Sequence, residues 1–221
     1  MKLLIQAVTK FAAGLLMVGL LLFLPAGTLR DPGGWRFCAL LFIPMLILGA
    51  VLFWKAPELL KKRLATKEKE SEQRAVIGAS LLMFVGGFVV AGLDFRFGWS
   101  HMPGWVVTAA SVLLLVSYGL YAEVMRENAY LSRTVEVQEG QKVIDTGLYG
   151  IVRHPMYMAS TLLFLSIPLV LGSWYGFVIF WVYPLLLVKR IKNEEAVLEA
   201  GLPGYREYKE KVRYRMIPFI W

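Results

Sequence analysis

Charge is the scarcest commodity in this sequence. Only 18% of the 221 residues are charged, while 57% are hydrophobic. A soluble domain is about a quarter charged and about half apolar. The composition excludes a disordered chain and argues against a soluble enzyme. Cysteine is nearly missing: Cys38 stands alone, so no internal disulfide forms. Cys38 lies in an apolar run and reads as a small buried hydrophobe. There are two histidines, with no CxxC or HxxxH spacing, so no metal site is expected. No GxSxG or Walker pattern, internal repeat or low-complexity tract occurs. Rossmann-type and nucleic-acid-binding readings therefore fall away. The net charge of +8 is explained by basic loops beside a membrane rather than by nucleic acid.

Long apolar runs are what the sequence does have. A spanning helix needs about 20 predominantly apolar residues. Phe11–Gly27, Trp35–Trp54, Val76–Leu93 and Trp105–Val124 are four such runs. Phe11–Gly27 lacks a clear small-x-small cleavage site and reads as a retained helix rather than a signal peptide. A fifth and a sixth run share Tyr157–Val188, with a break near Pro168, Gly172 and Ser173. They predict a tight helical hairpin whose arms fall slightly short of a full span. The expected architecture is all-α and integral to the membrane. It has about five to six transmembrane helices, a C-terminal helical hairpin and an amphipathic tail. One membrane domain covers residues 1–221: four N-terminal spans to residue 125, then a core from 126 to 221.

Basic residues give the orientation. Lys55–Arg74 carries seven Lys and Arg, and the tail from Lys189 carries eight, while the links near 28–34 and 94–102 carry few. The positive-inside rule puts both termini and both long loops in the cytoplasm. The short loops and the lack of a targeting sequence suggest a prokaryotic inner membrane. No matched pair of broken helices points to a transporter.

Two polar clusters stand at the membrane boundary. The first is QEGQKVIDTGLYGIVRHPMY, residues 138–157. Pro155 suits the first turn of a helix, which sets His154 just before a helix N-terminus, where N–H groups favour an anion. Arg153 adds positive charge there. The bland alternative makes Arg153 an interfacial anchor and His154 a helix cap. The second cluster is RIKNEEAVL from Arg190. Arg190 and Glu194 share one helix face, and Glu195 is turned about 100° away from Glu194. The alternative here is an ordinary surface pair. The tail GYREYKEKVRYRMIPFIW turns Tyr205, Tyr208, Val212, Met216, Phe219 and Trp221 toward lipid or protein. Asp94 and Arg96 read as an interfacial pair, His101 as a surface residue, and Gly86 and Gly87 as sites of close helix packing.

In order along the chain, the Gln138 region, TGLYGIVRHPMY, RIKNEE and GYREYKEKVRYRMIP resemble the isoprenylcysteine carboxyl methyltransferase family. The resemblance covers about the last 90 residues. It implies an integral membrane methyltransferase that uses S-adenosylmethionine. Gln138, Val143, Ile144, Tyr149, His154, Pro155, Tyr157 and Glu194 would then line the cofactor pocket. Arg190 would face the methyl acceptor. Gln141 and Lys142 depart from the pattern and enter only as backbone contacts. The implied partners are a lipophilic acceptor and membrane lipid. The acceptor group is an isoprenylcysteine-type carboxylate, a phospholipid amine or a thiol. With an amine acceptor, Glu195 is the candidate base. A nicotinamide-dependent reductase of the sterol-reductase type shares the RHPxY region and is the second reading. A non-catalytic membrane adaptor is the third.

Overall fold

The computed structural model describes residues 2–64, 71–132 and 135–221, and among them there is no strand. The chain runs through α1 (Lys2–Ala26), α2 (Pro32–Lys55), a short α3 (Pro57–Leu64), α4 (Ser71–Phe97) and α5 (Gly104–Glu127). It continues through α6 (Pro155–Leu171), α7 (Trp174–Phe180), α8 (Val182–Gly201) and α9 (Tyr205–Lys211). Among the described residues, five segments are long and apolar enough to cross a membrane: α1, α2, Ala75–Phe97, α5 and the joined Trp174–Gly201. Large side chains such as Leu16, Leu82 and Leu185 point outward on these helices, as lipid contact requires. The protein is integral to the membrane.

The helix boundaries follow from local chemistry. Asp31 caps α2 by accepting from the Gly33 amide at 2.8 Å, and Pro32 takes the first position. α6 starts at Pro155, with His154 as its N-cap. It ends where Gly172 turns into the left-handed region at φ 80°, a conformation that costs other residues a steric penalty. Ser173 then caps α7 by accepting from the Gly176 amide at 2.9 Å. The expected break is therefore where Pro168, Gly172 and Ser173 placed it. A second break falls at Trp181, between α7 and α8. Pro184 explains it, since its ring blocks the carbonyl four residues back and it has no N–H to donate. The two arms are unequal: α6 has 17 residues, about 26 Å of helix, whereas Trp174–Gly201 has 28 and runs on past Val188 into the polar cluster.

Glycine lets α4 pack closely at two points. A Cβ on Gly92 would overlap the Leu22 carbonyl, and one on Gly87 would overlap the Phe180 ring. Gly86 faces open space instead, so only one of that pair serves packing. The core joins Leu22 of α1, Phe37 of α2, Leu114 of α5, Ile167 of α6, Phe180 of α7 and Ile191 of α8. Cys38 is buried beside it.

The polar ends of the helices separate cleanly. At one end, the Lys10 ammonium donates to the Leu64 carbonyl, Lys62 to that of Ala129 and Arg63 to that of Ser132. The N-terminus of α1, the basic α3 and the long polar loop thus share one side. Residues 65–70 of the basic loop lie outside the described residues. At the other end, Asp94 is buried and accepts from the Ser100 amide and hydroxyl at 2.7 Å each, and from the Ser173 hydroxyl at 2.5 Å. The expected Asp94–Arg96 pair is replaced by these contacts; the Arg96 guanidinium lies over the Phe97 ring and beside Gly27.

Candidate functional site

A cavity of about 550 Å³ opens at the basic end. That lies within the range of about 300–1,000 Å³ for ligand sites. One wall is apolar and comes from the spans: Ile77, Leu81 and Phe84 of α4, Phe164 of α6 and Leu187 of α8. The more polar part of the lining comes from the loop after α5, the start of α6, the end of α8 and the tail.

Arg190 and Glu194 both face this cavity, one helical turn apart. Tyr157 joins them: its hydroxyl donates to Glu194 and accepts from the Arg190 Nε at 2.8 Å. The Arg190 guanidinium also lies over the Tyr157 ring, 5.8 Å from its centroid. His154 stacks on Tyr157 with centroids 5.6 Å apart. Val143, Ile144 and Tyr149 complete the predicted residues on the cavity wall. Tyr149 is held by a 3-10 turn at Gly147–Gly150. Its hydroxyl accepts from Asn128 at 2.9 Å, and its carbonyl accepts from the Tyr208 hydroxyl at 2.7 Å. Gly147 adopts φ 51°, and a Cβ there would overlap the Glu127 carboxylate, which accepts from the Leu148 amide.

Three predicted residues lie elsewhere. Gln138 closes a turn: its side chain donates to the Tyr130 carbonyl and its amide to Gln141. Gln141 and Lys142 line the cavity instead. Pro155 is buried as the first residue of α6. Glu195 is buried behind the cavity wall with three partners: Arg153 Nε at 2.8 Å, Arg215 Nε at 2.9 Å and His154 Nε2 at 3.3 Å. A carboxylate only accepts, so His154 Nε2 is the donor in this contact. The anion beside Arg153 and His154 is therefore the chain's own Glu195. Arg153 is further committed to the tail, donating to the carbonyls of Val212 and Arg213 at 2.6 and 2.8 Å. The amides of Arg153 and His154 donate to the carbonyls of Tyr214 and Arg215. This web straps the tail across the start of α6. Tyr205, Tyr208, Val212 and Met216 are buried by it, whereas Phe219 stays exposed.

Sequence reasoning missed Arg63, Tyr121, Ser160 and Tyr183 on the cavity wall. Ser160 and Tyr183 share a hydrogen bond at 3.0 Å, and Arg63 donates to the Tyr121 hydroxyl. Tyr205 was assigned only to the tail's apolar face, yet it lines the cavity. Its hydroxyl is buried without a partner, and burial holds it well above the usual tyrosine range. Among the described residues, no group of three metal-ligating side chains gathers.

Comparison with known proteins bears on this geometry. The chain superimposes on the eukaryotic intramembrane Ras methyltransferase, isoprenylcysteine carboxyl methyltransferase, with a TM-score of 0.59 over 97% of this chain and 77% of that one, at 16% identity. The chain has the fold of the isoprenylcysteine carboxyl methyltransferases. Residues 105–202 also match the family model described as phospholipid methyltransferase. That segment begins in α5, ends just beyond α8 and contains RHPMY and RIKNEE, the core of the resemblance to isoprenylcysteine carboxyl methyltransferases. A Delta(14)-sterol reductase of Mus musculus is 30% identical over 91 residues, 40% of this chain and 22% of that protein. A Delta(14)-sterol reductase of Methylotuvimicrobium alcaliphilum is 23% identical over 135 residues, 54% of this chain and 32% of that protein. The chain thus spans a third or less of the length of these reductases.

Proposed function

We propose that the protein is a membrane methyltransferase that moves a methyl group from S-adenosylmethionine to a lipophilic acceptor. The observation that carries this is one cavity with two unlike walls: a polar wall with Glu194, Tyr157, Tyr149 and Tyr205, and an apolar wall made by the spans. The polar wall fits an amino-acid nucleoside. The partnerless Tyr205 hydroxyl lacks the partner that buried polar groups normally have, and a ribose or carboxylate oxygen supplies one. Glu194 is suited to an amino group or a ribose. Tyr149, Tyr157 and the apolar Val143 and Ile144 suit the adenosine part. Lys142, on the same wall, suits the carboxylate.

The chemistry S-adenosylmethionine supplies when bound is a methyl group on a sulfonium, open to direct displacement. With a carboxylate acceptor, opposite charges cancel as the methyl moves. The chain then has to align two partners and keep water out. The tail strapped over α6 and the packed spans exclude water. Arg190, fixed by Tyr157, orients an acidic acceptor through paired N–H groups. Glu195 serves as the anchor of Arg153, His154 and Arg215, which positions the polar wall. Orientation follows the basic loops: the cavity opens to the cytoplasm, both termini lie inside, and the host is a prokaryotic inner membrane.

Incubation of the purified protein with methyl-labelled S-adenosylmethionine and native lipid extract tests this reading. A labelled lipid is the expected product. Arg190→Ala should lower its yield sharply, and Arg190→Lys should rescue only in part, because lysine lacks the planar pair of donors. Reduction of a sterol with NADPH, and no methyl transfer, would favour the reductase-type activity of the sequence relatives.

A further inference from the structure

Among the described arginines on the cavity wall, Arg63 meets only neutral partners. Arg153 and Arg215 share Glu195. Arg190 is tied to Glu194 through the Tyr157 hydroxyl. Arg63 is half-buried on the cavity wall, and its partners among the described residues are neutral: the Tyr121 hydroxyl and ring, and the Ser132 carbonyl. Partial burial of a cation against neutral groups costs desolvation that an anion would offset. Tyr121 also fixes the guanidinium, whose centre lies 5.4 Å from the ring centroid. A fixed planar donor pair is preorganised for carboxylate or phosphate oxygens. Ile77, Leu81 and Phe84 line the same cavity, which gives an attached hydrocarbon chain an apolar wall.

Resting on the proposed methyltransferase reading, we propose that Arg63 binds the anionic oxygen group of the lipid acceptor, a phosphate or a carboxylate. Arg63 lies outside the matched segment 105–202. The N-terminal half of the chain would therefore contribute to acceptor choice, while the matched segment builds most of the cofactor wall.

Calorimetry on the full chain in detergent tests this with two anionic probes and two uncharged counterparts. N-acetyl-farnesylcysteine is set against its methyl ester, and short-chain phosphatidic acid against short-chain diacylglycerol. At least one anionic probe should bind about tenfold or more tightly than its counterpart, the size of a charge-assisted hydrogen bond. Which pair shows the gap distinguishes carboxylate from phosphate. Arg63→Gln should narrow the gap at least about threefold, leaving the share that Arg190 supplies, while S-adenosylhomocysteine affinity stays within about twofold. Arg63→Lys should keep part of the gap, since a point charge remains. A wild-type protein with no gap, a gap left undiminished by Arg63→Gln, or equal loss of S-adenosylhomocysteine binding in that variant would each overturn the proposal. Wild-type failure to bind S-adenosylhomocysteine, with the lipid gap intact, would overturn the methyltransferase reading alone.

Discussion

The two polar ends of this helix bundle solve the same problem in opposite ways. At the far end, helix termini meet in a closed knot: Ser173 caps α7, donates to Asp94, and Asp94 also takes both donors of Ser100. Every partner there is small, and a Cβ on Gly33 would press on the Leu171 carbonyl. At the basic end, the helices stay apart around a cavity of about 550 Å³, and long charged side chains hold the walls. Glu195 alone takes Arg153, His154 and Arg215. The far end is built for closure, and the basic end keeps space open by buried charge.

Breaking the charged hub should have the largest effect. Glu195→Ala leaves Arg153 buried without its carboxylate, and loss of one partner of a buried pair typically costs about 3–5 kcal/mol. Thermal unfolding in detergent should show that loss, and protease should release the tail from Arg213 onward. Normal stability would mean that the hub is incidental. At the far end, Ser173→Ala removes a cap and a hydrogen bond to a carboxylate. A stability loss of about 1–3 kcal/mol is expected, with S-adenosylhomocysteine affinity unchanged. A matching drop in affinity would show that the two ends are coupled.

Smaller still is Tyr205→Phe. It deletes a buried hydroxyl that has no partner, so stability should hold or rise. Affinity for S-adenosylhomocysteine should fall by about two- to tenfold, one neutral hydrogen bond. A destabilised variant with normal affinity would sever Tyr205 from the site. The smallest effect is expected at Asp31, where burial raises the carboxyl above its ordinary value against the two cap amides. A raised folded-state value gives stability that is present below the unfolded value and lost as pH rises through the folded one. Asp31→Asn caps as well and lacks this titration. The two proteins should be equally stable near about pH 4, with the Asn variant slightly ahead near about pH 7. Wild type gaining on the variant as pH rises would contradict this.

The sequence made local features readable and left convergent ones hidden. RHP announced the start of α6, because proline at a first turn is a local rule, and Pro168, Gly172 and Ser173 announced its end. The four-residue spacing of Arg190 and Glu194 put both on one face, and both reach the cavity. Arg63 could not be found this way: it meets Tyr121 and Ser132 from 58 and 69 residues away. Nor could the role of Glu195, whose partners lie 42, 41 and 20 residues distant. The expectation of a ligand anion beside Arg153 and His154 rested on the right local field, but a side chain from α8 occupies it. The expected Asp94–Arg96 pair failed for the same reason, since Ser173 arrives from 79 residues away.

The proposed function requires the open end to bind S-adenosylmethionine through the Glu194 wall. The most direct measurement is calorimetric titration of S-adenosylhomocysteine and of NADPH into wild-type, Glu194→Ala and Ser173→Ala proteins. Saturable binding of S-adenosylhomocysteine and none of NADPH is expected. Glu194→Ala should weaken that binding by about ten- to a hundredfold, and Ser173→Ala should leave it unchanged. Binding of NADPH in its place, or unaltered S-adenosylhomocysteine affinity in a folded Glu194→Ala protein, would contradict the account.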